Sequence, residues 1–382
     1  MDSKVQITPQ ELNSLGADSY QLIDIRDAYS YEYGHIPGAM GIPADELMER
    51  LPSFPPGKLL VLCCRSGSLS LDMAEALCGE GYSAASLAGG YYGWLRTHFD
   101  GADKSAKAEQ SIRKTFHKEL WSRFAKAVRD YELVKPHDKI AVCMSGGKDS
   151  MLMAKLFQEL KWHNKFEFDL VFLVMDPGYS PENRELIEHN ARSLNIPVTI
   201  FETDIFEAVS GVEKSPCYLC ARMRRGHLYR QAMDLGCNKI ALGHHYDDVI
   251  ETVLMGMLYG GQFQAMMPKL HSTNFPGMEL IRPMYLIREA DVIRWRDYND
   301  LCFLQCACRF TESCSASGAG HTGSKRAETK ALIQELKKTD PNVEANIFRS
   351  TYNVNLNTVL AYKDDSGTHS FLEHYDVKGD IS

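Results

Sequence analysis

The chain has 382 residues and a formal net charge of −8, with 44% hydrophobic and 24% charged residues. This balance is typical of a folded protein of two or three domains, and no apolar run is long enough to cross a bilayer. The first ten residues lack a secretion-signal pattern, which predicts a cytoplasmic protein with no membrane partner. Eleven cysteines in such a chain indicate thiol chemistry or metal binding instead of disulfides.

The negative charge is concentrated in one part of the chain. Residues 1–100 contain 6 Lys and Arg but 13 Asp and Glu, whereas the remainder is close to neutral. The net charge therefore does not exclude an RNA partner for the later part of the chain.

Strands and helices alternate in residues 1–100, which predicts a small α/β domain. The predicted strands are Gln21–Arg26, Lys58–Cys64 and Ser83–Leu87, and the predicted helices are Ala44–Leu51 and Leu69–Cys78.

Cys64 stands between a predicted strand and a predicted helix. A thiol there lies among the backbone N–H groups of a helix start, which can hold an anionic sulfur species. Neighbouring Cys63 is predicted to be a core residue, because alternate strand residues point to opposite faces. The loop that would surround the sulfur consists of Arg65, Ser66, Gly67, Ser68 and Leu69.

Three further segments resemble the rhodanese-like sulfurtransferase domains: Asp24–Asp27 (DIRD), Gly34–Ala39 (GHIPGA) and Leu87–Gly90 (LAGG) with Trp94. The resemblance implies that Cys64 is catalytic and carries a persulfide. Many relatives have arginine where this chain has Leu69, which argues against thiosulfate as the donor but not against a persulfide relay. The alternative is a rhodanese fold used only for docking.

Residues 101–135 are predicted to link this domain to a second one, residues 136–382. Ser105–Tyr131 has apolar residues at helical spacing and is predicted to form one amphipathic helix. Its basic residues are typical of a solvated helix face.

Lys139–Cys143 reads as a strand buried on both faces, and a helix is predicted from Met151 onward. Between them two adjacent glycines allow a tight turn, and the N–H groups of the helix start favour an anion. A glycine turn without a ligand is the alternative. The predicted nucleotide-binding residues are Ser145, Gly146, Gly147, Lys148, Asp149 and Ser150.

This SGGKDS segment resembles the pyrophosphate loop of the PP-loop ATP pyrophosphatases. Those enzymes split ATP between the α and β phosphates and adenylate their substrate. Further predicted strands give a doubly wound parallel sheet, with ligands at the carboxyl ends of its strands. They are Phe168–Met175, Val198–Glu202, Lys239–Gly243 and Leu280–Met284, and Glu182–Leu194 is a predicted helix.

The segment Gly243–Asp248 (GHHYDD) follows the predicted strand Lys239–Gly243 and matches the second PP-loop motif. We expect His244 to contact ATP and Asp149, Asp247 and Asp248 to be catalytic, with Mg²⁺ bound near the phosphates. Which carboxylate touches the metal stays open, and a capped helix start with satisfied histidines is the alternative.

Cys217 and Cys220 form a CxxC pair, which chelates iron or zinc or acts as a redox dithiol. No acidic residue occurs from Lys214 through Gln231, so this stretch is a candidate RNA-backbone contact, with Tyr229 as a stacking aromatic. The candidate RNA-binding residues are Arg222, Arg224, Arg225 and Arg230.

The stretch from Lys139 to Cys308 is similar to the tRNA 2-thiocytidine synthetase family, most clearly in CYLCARMRRGHLY and GHHYDDVIETVLMGMLYGG. The resemblance implies ATP-dependent thiolation of a cytidine in a tRNA anticodon loop. It also implies a four-iron, four-sulfur cluster on Cys217, Cys220 and Cys306, with one iron open. Cys308 is the alternative third ligand, and four thiolates together would suit zinc.

The predicted reaction uses ATP and Mg²⁺ to adenylate the pyrimidine 2-oxygen of tRNA and replaces it with sulfur from Cys64. A donor such as a cysteine desulfurase would load Cys64, and the resemblance suggests a homodimer. The alternatives are a sulfurtransferase for another tRNA position or a small metabolite, and a non-catalytic nucleotide or iron–sulfur sensor. Towards the end, Lys325–Lys338 and Asn342–Tyr352 are predicted helices, and Ser313–Ser324 and the tail from Lys363 are predicted loops.

Overall fold

A computed structural model describes residues 5–16, 18–54, 57–97, 103–163, 165–209, 216–303 and 325–375, with the backbone alone at 29, 33, 209, 216–218, 221 and 374. The chain forms two compact units, residues 1–247 with 267–323 and residues 248–266 with 324–382. The predicted domain boundaries at 100 and 135 stay predictions. Within the described residues, none of the helices has the length and apolar character needed to cross a membrane.

The N-terminal part of the first unit is a five-stranded parallel sheet in the spatial order β1-β5-β4-β2-β3. Most predicted elements are confirmed to within two residues, whereas the helix predicted at Ala44–Leu51 is shorter. The strands are Gln6–Ile7 (β1), Tyr20–Asp24 (β2), Met40–Gly41 (β3), Leu59–Cys63 (β4) and Ala84–Leu87 (β5). The helices are Pro9–Ser14 (α1), Ala28–Tyr33 (α2), Leu47–Arg50 (α3), Ser68–Gly79 (α4) and Gly90–Arg96 (α5).

The prediction of one continuous helix over Ser105–Tyr131 was wrong. The segment forms Ser105–Arg113 (α6), a π-helical turn at His117–Trp121, and Ser122–Asp130 (α7). Its apolar residues recur every four positions, so in a regular helix of 3.6 residues per turn they would drift around the axis. A π-helical turn contains more residues than an α-helical turn, so it offsets this drift. Ile112, Phe116, Leu120 and Phe124 are accordingly all buried.

A six-stranded sheet follows in the order β10-β11-β9-β6-β7-β8. The predicted doubly wound parallel sheet is confirmed, with β10 as an additional antiparallel edge strand. The strands are Lys139–Met144 (β6), Asp169–Asp176 (β7), Val198–Glu202 (β8), Lys239–Ala241 (β9), Lys269–His271 (β10) and Glu279–Ile281 (β11). The helices are Lys148–His163 (α8), Pro181–Ser193 (α9), Ile205–Val209 (α10), Pro216–Asp234 (α11), Tyr246–Gly260 (α12) and Glu289–Tyr298 (α13).

Strands β7 and β8 lie on one side of β6, and β9 lies on the other. The order in which strands are added therefore changes direction between β6 and β9. Doubly wound sheets bind ligands at such a switch point. The loops that follow β6 and β9 are the two predicted nucleotide-site segments.

A buried lysine connects α6 to the second sheet's layer of helices. Lys155 on α8 is fully buried and donates to Ser105 Oγ at 2.9 Å, Glu109 Oε1 at 2.7 Å and Leu194 O at 3.0 Å. A buried ammonium group is tolerated only when its hydrogen bonds are satisfied. These contacts hold α6 against α8.

The second unit contains Lys325–Thr339 (α14), Val343–Ser350 (α15) and Leu372–Tyr375 (α16). The two predicted helices are confirmed, but the prediction of a loop or fraying end from Lys363 onward was wrong as far as Tyr375, the last described residue. Ala361–Asp364 (β12) and Gly367–Ser370 (β13) form an antiparallel hairpin. Asp364 Oδ1 accepts from the backbone N–H groups of Ser366 at 2.8 Å and Gly367 at 3.2 Å, which stabilises the turn.

Candidate active site

Cys64 follows the buried strand β4 and precedes α4. Its Sγ accepts hydrogen bonds from Gly67 N at 3.1 Å, Ser70 N at 3.4 Å and Ser70 Oγ at 3.3 Å, and the residue is 5% exposed. Backbone N–H groups that converge in this way form an anion-binding concavity. The loop is therefore shaped to stabilise negative charge on this sulfur.

Close backbone packing from β5 and α5 holds this loop in place. Gly90 has φ +57°, and a Cβ there would lie 2.4 Å from Cys64 O and 2.7 Å from Gly67 N. Tyr91 N donates to Cys64 O at 2.8 Å, and Ser86 Oγ lies 2.8 Å from Ser70 Oγ. Only glycine at position 90 permits this approach.

The other predicted loop residues have distinct surroundings. Ser66 and Ser68 are exposed, and Leu69 packs against a small apolar core. Arg65 is half-buried, and its Nη1 has no hydrogen bond to any residue that the structure describes. Cys63 is fully buried, and burial raises the pKa of its thiol, which confirms it as a core residue.

The loop after β6 has the predicted strand–turn–helix form. Gly146 has φ +82°, a conformation that favours glycine. Ser150 Oγ accepts from Ser145 N at 3.2 Å and donates to Gly147 O at 2.9 Å. Ser150 therefore shapes the loop from inside.

Lys148 is buried at the start of α8. Its Nζ lies 3.0 Å from Asp149 Oδ2 and 3.1 Å from Glu289 Oε1, which belongs to α13. Glu289 was missed by sequence reasoning because it lies 141 positions away, and no local pattern marks it.

Asp149 and Asp247 lie on either side of His245, at the switch point between β6 and β9. His245 is 7% exposed, and its Nε2 lies 3.9 Å from Asp149 Oδ1 while its Nδ1 lies 3.7 Å from Asp247 Oδ2. A Cβ at Gly243 would lie 3.4 Å from the backbone of Asp149 and Ser150, so the two loops are in direct contact. The sequence argument chose His244, which is half-buried after β9.

Asp247 is held by its own partners. Arg288 Nη2 lies 3.0 Å from Asp247 Oδ1, and Glu289 N donates to Asp247 Oδ2 at 2.7 Å. Arg288 also lies 4.8 Å from the ring centre of Tyr246. These contacts fix the orientation of the Asp247 carboxylate.

Asp149 has the feature that a metal site requires. Its Oδ1 is buried and accepts no hydrogen bond from the described part of the chain. Within that same part, no three His, Cys, Asp or Glu side chains converge on a common metal site. Mg²⁺ commonly uses one or two carboxylates together with waters and substrate phosphates, so Asp149 is a residue that could hold it.

Asp248 belongs to the second unit. Its Oδ1 lies 2.5 Å from Arg326 Nη1, which also lies 3.2 Å from Glu251 Oε2. Asp248 is thus paired with a residue of α14 that sequence reasoning did not identify.

Cys217 and Cys220 lie on the first turns of α11, three positions apart and thus on one helix face. Cys220 is buried, and only the backbone of Cys217 is described. The predicted third ligand Cys306, its alternative Cys308 and the predicted loop Ser313–Ser324 lie outside the described residues.

The predicted RNA-binding residues all lie on α11. Arg222, Arg225 and Arg230 are exposed, and Arg224 is half-buried. The prediction that Tyr229 offers a stacking face was wrong, because it is 4% exposed and already stacks on Phe275 with ring centres 5.0 Å apart.

Two family models match the chain. One, described as a PP-loop domain, matches residues 114–307, and the other, described as a rhodanese-like domain, matches residues 8–97. The fold, the two loops and these matches define a PP-loop protein that carries a rhodanese-like domain.

Among characterised proteins, the chain is 38% identical over 209 residues to a tRNA-cytidine(32) 2-sulfurtransferase from Neisseria meningitidis, covering 53% of this chain and 64% of that protein. It is 35% identical over 243 residues to the protein of the same name from Paraburkholderia xenovorans, covering 62% and 68%. The chain belongs to the family of the tRNA-cytidine(32) 2-sulfurtransferases. It spans less than two thirds of the length of the Neisseria relative.

A solved structure of the U34-tRNA thiolase NcsA from Methanococcus maripaludis, with its [4Fe-4S] cluster, aligns with 62% of this chain and 78% of that one. The TM-score is 0.49 and the sequence identity 23%. This likeness is too distant to assign a cofactor or an activity to the chain.

Proposed function

We propose that this protein is an ATP-dependent tRNA sulfurtransferase that replaces the 2-oxygen of an anticodon-loop cytidine with sulfur. The observation that carries the proposal is the presence, in one compact unit, of a thiol loop built for an anionic sulfur and a pyrophosphate-type loop. The names of the relatives from Neisseria and Paraburkholderia support tRNA cytidine as the substrate.

The loop after β6 would bind the phosphates of ATP. N–H groups at the start of α8 favour an anion, and Lys148 supplies a positive charge. Asp149, whose Oδ1 accepts no hydrogen bond from the described residues, would hold Mg²⁺. The cytidine 2-oxygen then attacks the α-phosphorus, pyrophosphate leaves, and the oxygen becomes part of a good leaving group, AMP.

Cys64 would carry the incoming sulfur as a persulfide, stabilised by the N–H groups of Gly67 and Ser70. A second thiol attacks the inner sulfur of this persulfide, which forms a disulfide with Cys64 and releases the outer sulfur as sulfide. That sulfide displaces AMP from the ring carbon and leaves the thiocarbonyl group. A dithiol reductant must then reduce the disulfide and restore the Cys64 thiol. A donor such as a cysteine desulfurase would reload Cys64.

We further propose a four-iron, four-sulfur cluster on Cys217, Cys220 and Cys306, with Cys308 as the alternative ligand. The i, i+3 spacing of Cys217 and Cys220 on α11 is compatible with two ligands to one metal group. Such a cluster, if bound by these cysteines, would supply an iron that can bind sulfide. Zinc is the alternative if both Cys306 and Cys308 are ligands. A homodimer and a cytoplasmic location are proposed on the resemblance and the amino-acid sequence.

The test is anaerobic incubation of the purified chain with tRNA, ATP, Mg²⁺ and a sulfide source, followed by mass spectrometry of nucleosides and measurement of AMP. We expect one AMP for each 2-thiocytidine formed. Thiolation of another nucleoside would change the proposed substrate position, and ATP binding without AMP formation would show a sensor. A colourless protein that contains zinc would rule out the cluster.

A further inference from the structure

The first unit has a groove of about 580 Å³ between α11 and the β10–β11 hairpin. Basic, hydroxyl and amide side chains and two leucines, Leu270 and Leu280, line the groove together with two aromatic rings. The lining includes Arg222, Arg225, His271, Ser272, Asn274 and Arg282 on the walls, and Tyr229 and Phe275 on the floor.

Helix geometry selects which arginines of α11 enter this groove. Arg222, Arg225 and Tyr229 are spaced i, i+3 and i+7, so they share one helix face. Arg224 and Arg230 do not line the groove. The structure therefore divides the arginine cluster that the sequence presents as one group.

The two walls converge on the hydroxyl of Tyr229. Burial raises the pKa of Tyr229, whereas a hydrogen bond with Ser272 and the positive charges of Arg225 and Arg282 lower it. Arg225 comes from the helix and Arg282 follows β11, so positive groups face the same point from both sides.

No carboxylate lines this groove among the described residues. The nearest on the hairpin is Glu279, whose Oε1 is 4.0 Å from His271 Nε2 and whose Oε2 is 2.9 Å from the buried Lys239. The groove thus keeps its positive charge, and it suits an anion with several phosphate groups.

The groove begins near the candidate active site. Ile281 pairs with Ala241 of the parallel strand β9. Arg282 therefore lies at the carboxyl ends of the strands, where the loop after β9 also begins. His271 pairs with Glu279, at the other end of the hairpin. The groove therefore extends along the β10–β11 hairpin, starting at the carboxyl ends of the strands, where the predicted nucleotide site lies.

We propose that this groove binds the phosphodiester backbone of the RNA substrate and that the β10–β11 hairpin forms one of its walls. The inference rests on the proposed function. Backbone binding is favoured over base stacking, because Tyr229 is 4% exposed and one face of the half-buried Phe275 is already covered by the Tyr229 ring. Such contacts position the strand without reading its sequence.

The test measures fluorescence anisotropy of unfractionated tRNA with the full chain at several salt concentrations. R222E/R225E should bind at least about 10-fold more weakly, and its salt slope should fall by roughly 1.4 for two lost phosphate contacts. H271E, on the opposite wall and 88% exposed, should also weaken binding. The control K161E/R192E makes the same charge change at exposed positions outside the groove and should bind like the wild type.

The outcomes separate this proposal from the proposed function. If the wild type does not bind tRNA, the proposed function fails. If the wild type binds and R222E/R225E binds equally well, the groove is wrong while the function stands. R230E should lose less affinity than R225E. An equal loss would contradict the proposed groove and would indicate that RNA binds to the basic residues all around α11. Normal binding by H271E would remove the hairpin from the interface.

Discussion

The thiol loop Cys64–Leu69 and the pyrophosphate-type loop Ser145–Ser150 share one plan: a buried parallel strand, a turn with glycine and a helix. They differ in what their polar groups contact. In the first loop, N–H groups point at a sulfur of the chain itself. In the second, Ser145 N contacts Ser150, and Lys148 contacts two carboxylates. The first loop therefore directs its N–H groups at a sulfur of the chain itself, whereas the polar groups of the second loop contact one another and neighbouring carboxylates.

Lys148→Met should give the largest difference between AMP formation, assigned to the second loop, and persulfide loading, assigned to the first. Loss of a charge placed at the phosphates is expected to slow AMP formation by about 100-fold or more. Persulfide loading of Cys64, measured by mass spectrometry, should not change. K161M on the same helix is the control, since Lys161 is half-exposed and pairs with Asp169. Thermal unfolding must confirm that K148M is folded, because the buried Lys148 pairs with two half-buried carboxylates. Normal AMP formation by the folded variant would contradict the assignment.

Cys64→Ser should show the reverse pattern. Transfer of labelled sulfur from a persulfide donor should be lost, whereas AMP formation and thiolation with free sulfide should continue. Cys63→Ala is the matched control, because Cys63 is buried and should not carry sulfur. If C64S still accepts labelled sulfur at the wild-type rate, the relay through Cys64 is wrong.

Gly90→Ala tests the packing around the thiol loop. The added Cβ would lie 2.4 Å from Cys64 O, and relief of such a contact typically costs about 1–3 kcal/mol. We expect a lower free energy of unfolding and slower persulfide loading, with AMP formation by the other loop preserved. Gly79→Ala, where a Cβ meets nothing within 4 Å, should have neither effect. Equal behaviour of the two variants would show that the loop tolerates displacement.

The smallest effect concerns the cysteines of the strands that precede the two loops. Burial raises the pKa of Cys63 well above its usual range and that of Cys143 to about 12, so both remain neutral thiols at pH 8. Iodoacetamide should leave both unmodified in the native protein and modify them after denaturation, as peptide mass spectrometry can show. Burial also raises the pKa of the Cys302 thiol, although the residue as a whole is exposed, so we expect Cys302 to react slowly in the native state. Rapid native modification of Cys143 would show that β6 opens near its loop.

The sequence predicted both loops because each depends on a local order of strand, glycine and helix. It did not predict Glu289 or Arg288, since their contacts with Lys148 and Asp247 join distant segments. Sequence reasoning chose His244 over His245, because two adjacent histidines differ only in the direction of their side chains, which a sequence does not show. The break in Ser105–Tyr131 was also missed, because the four-residue spacing fits a helix locally and its drift appears only over several turns.

The buried Lys155 limits the length of the connection between α5 and α6. Because α6 is attached to the second sheet's layer from Ser105 onward, only eight residues lie between this attachment and the end of α5 at Arg96. A chain of that length spans at most about 30 Å. If Cys64 delivers sulfur as proposed, we expect a longer connection to change this delivery without altering either proposed chemical step.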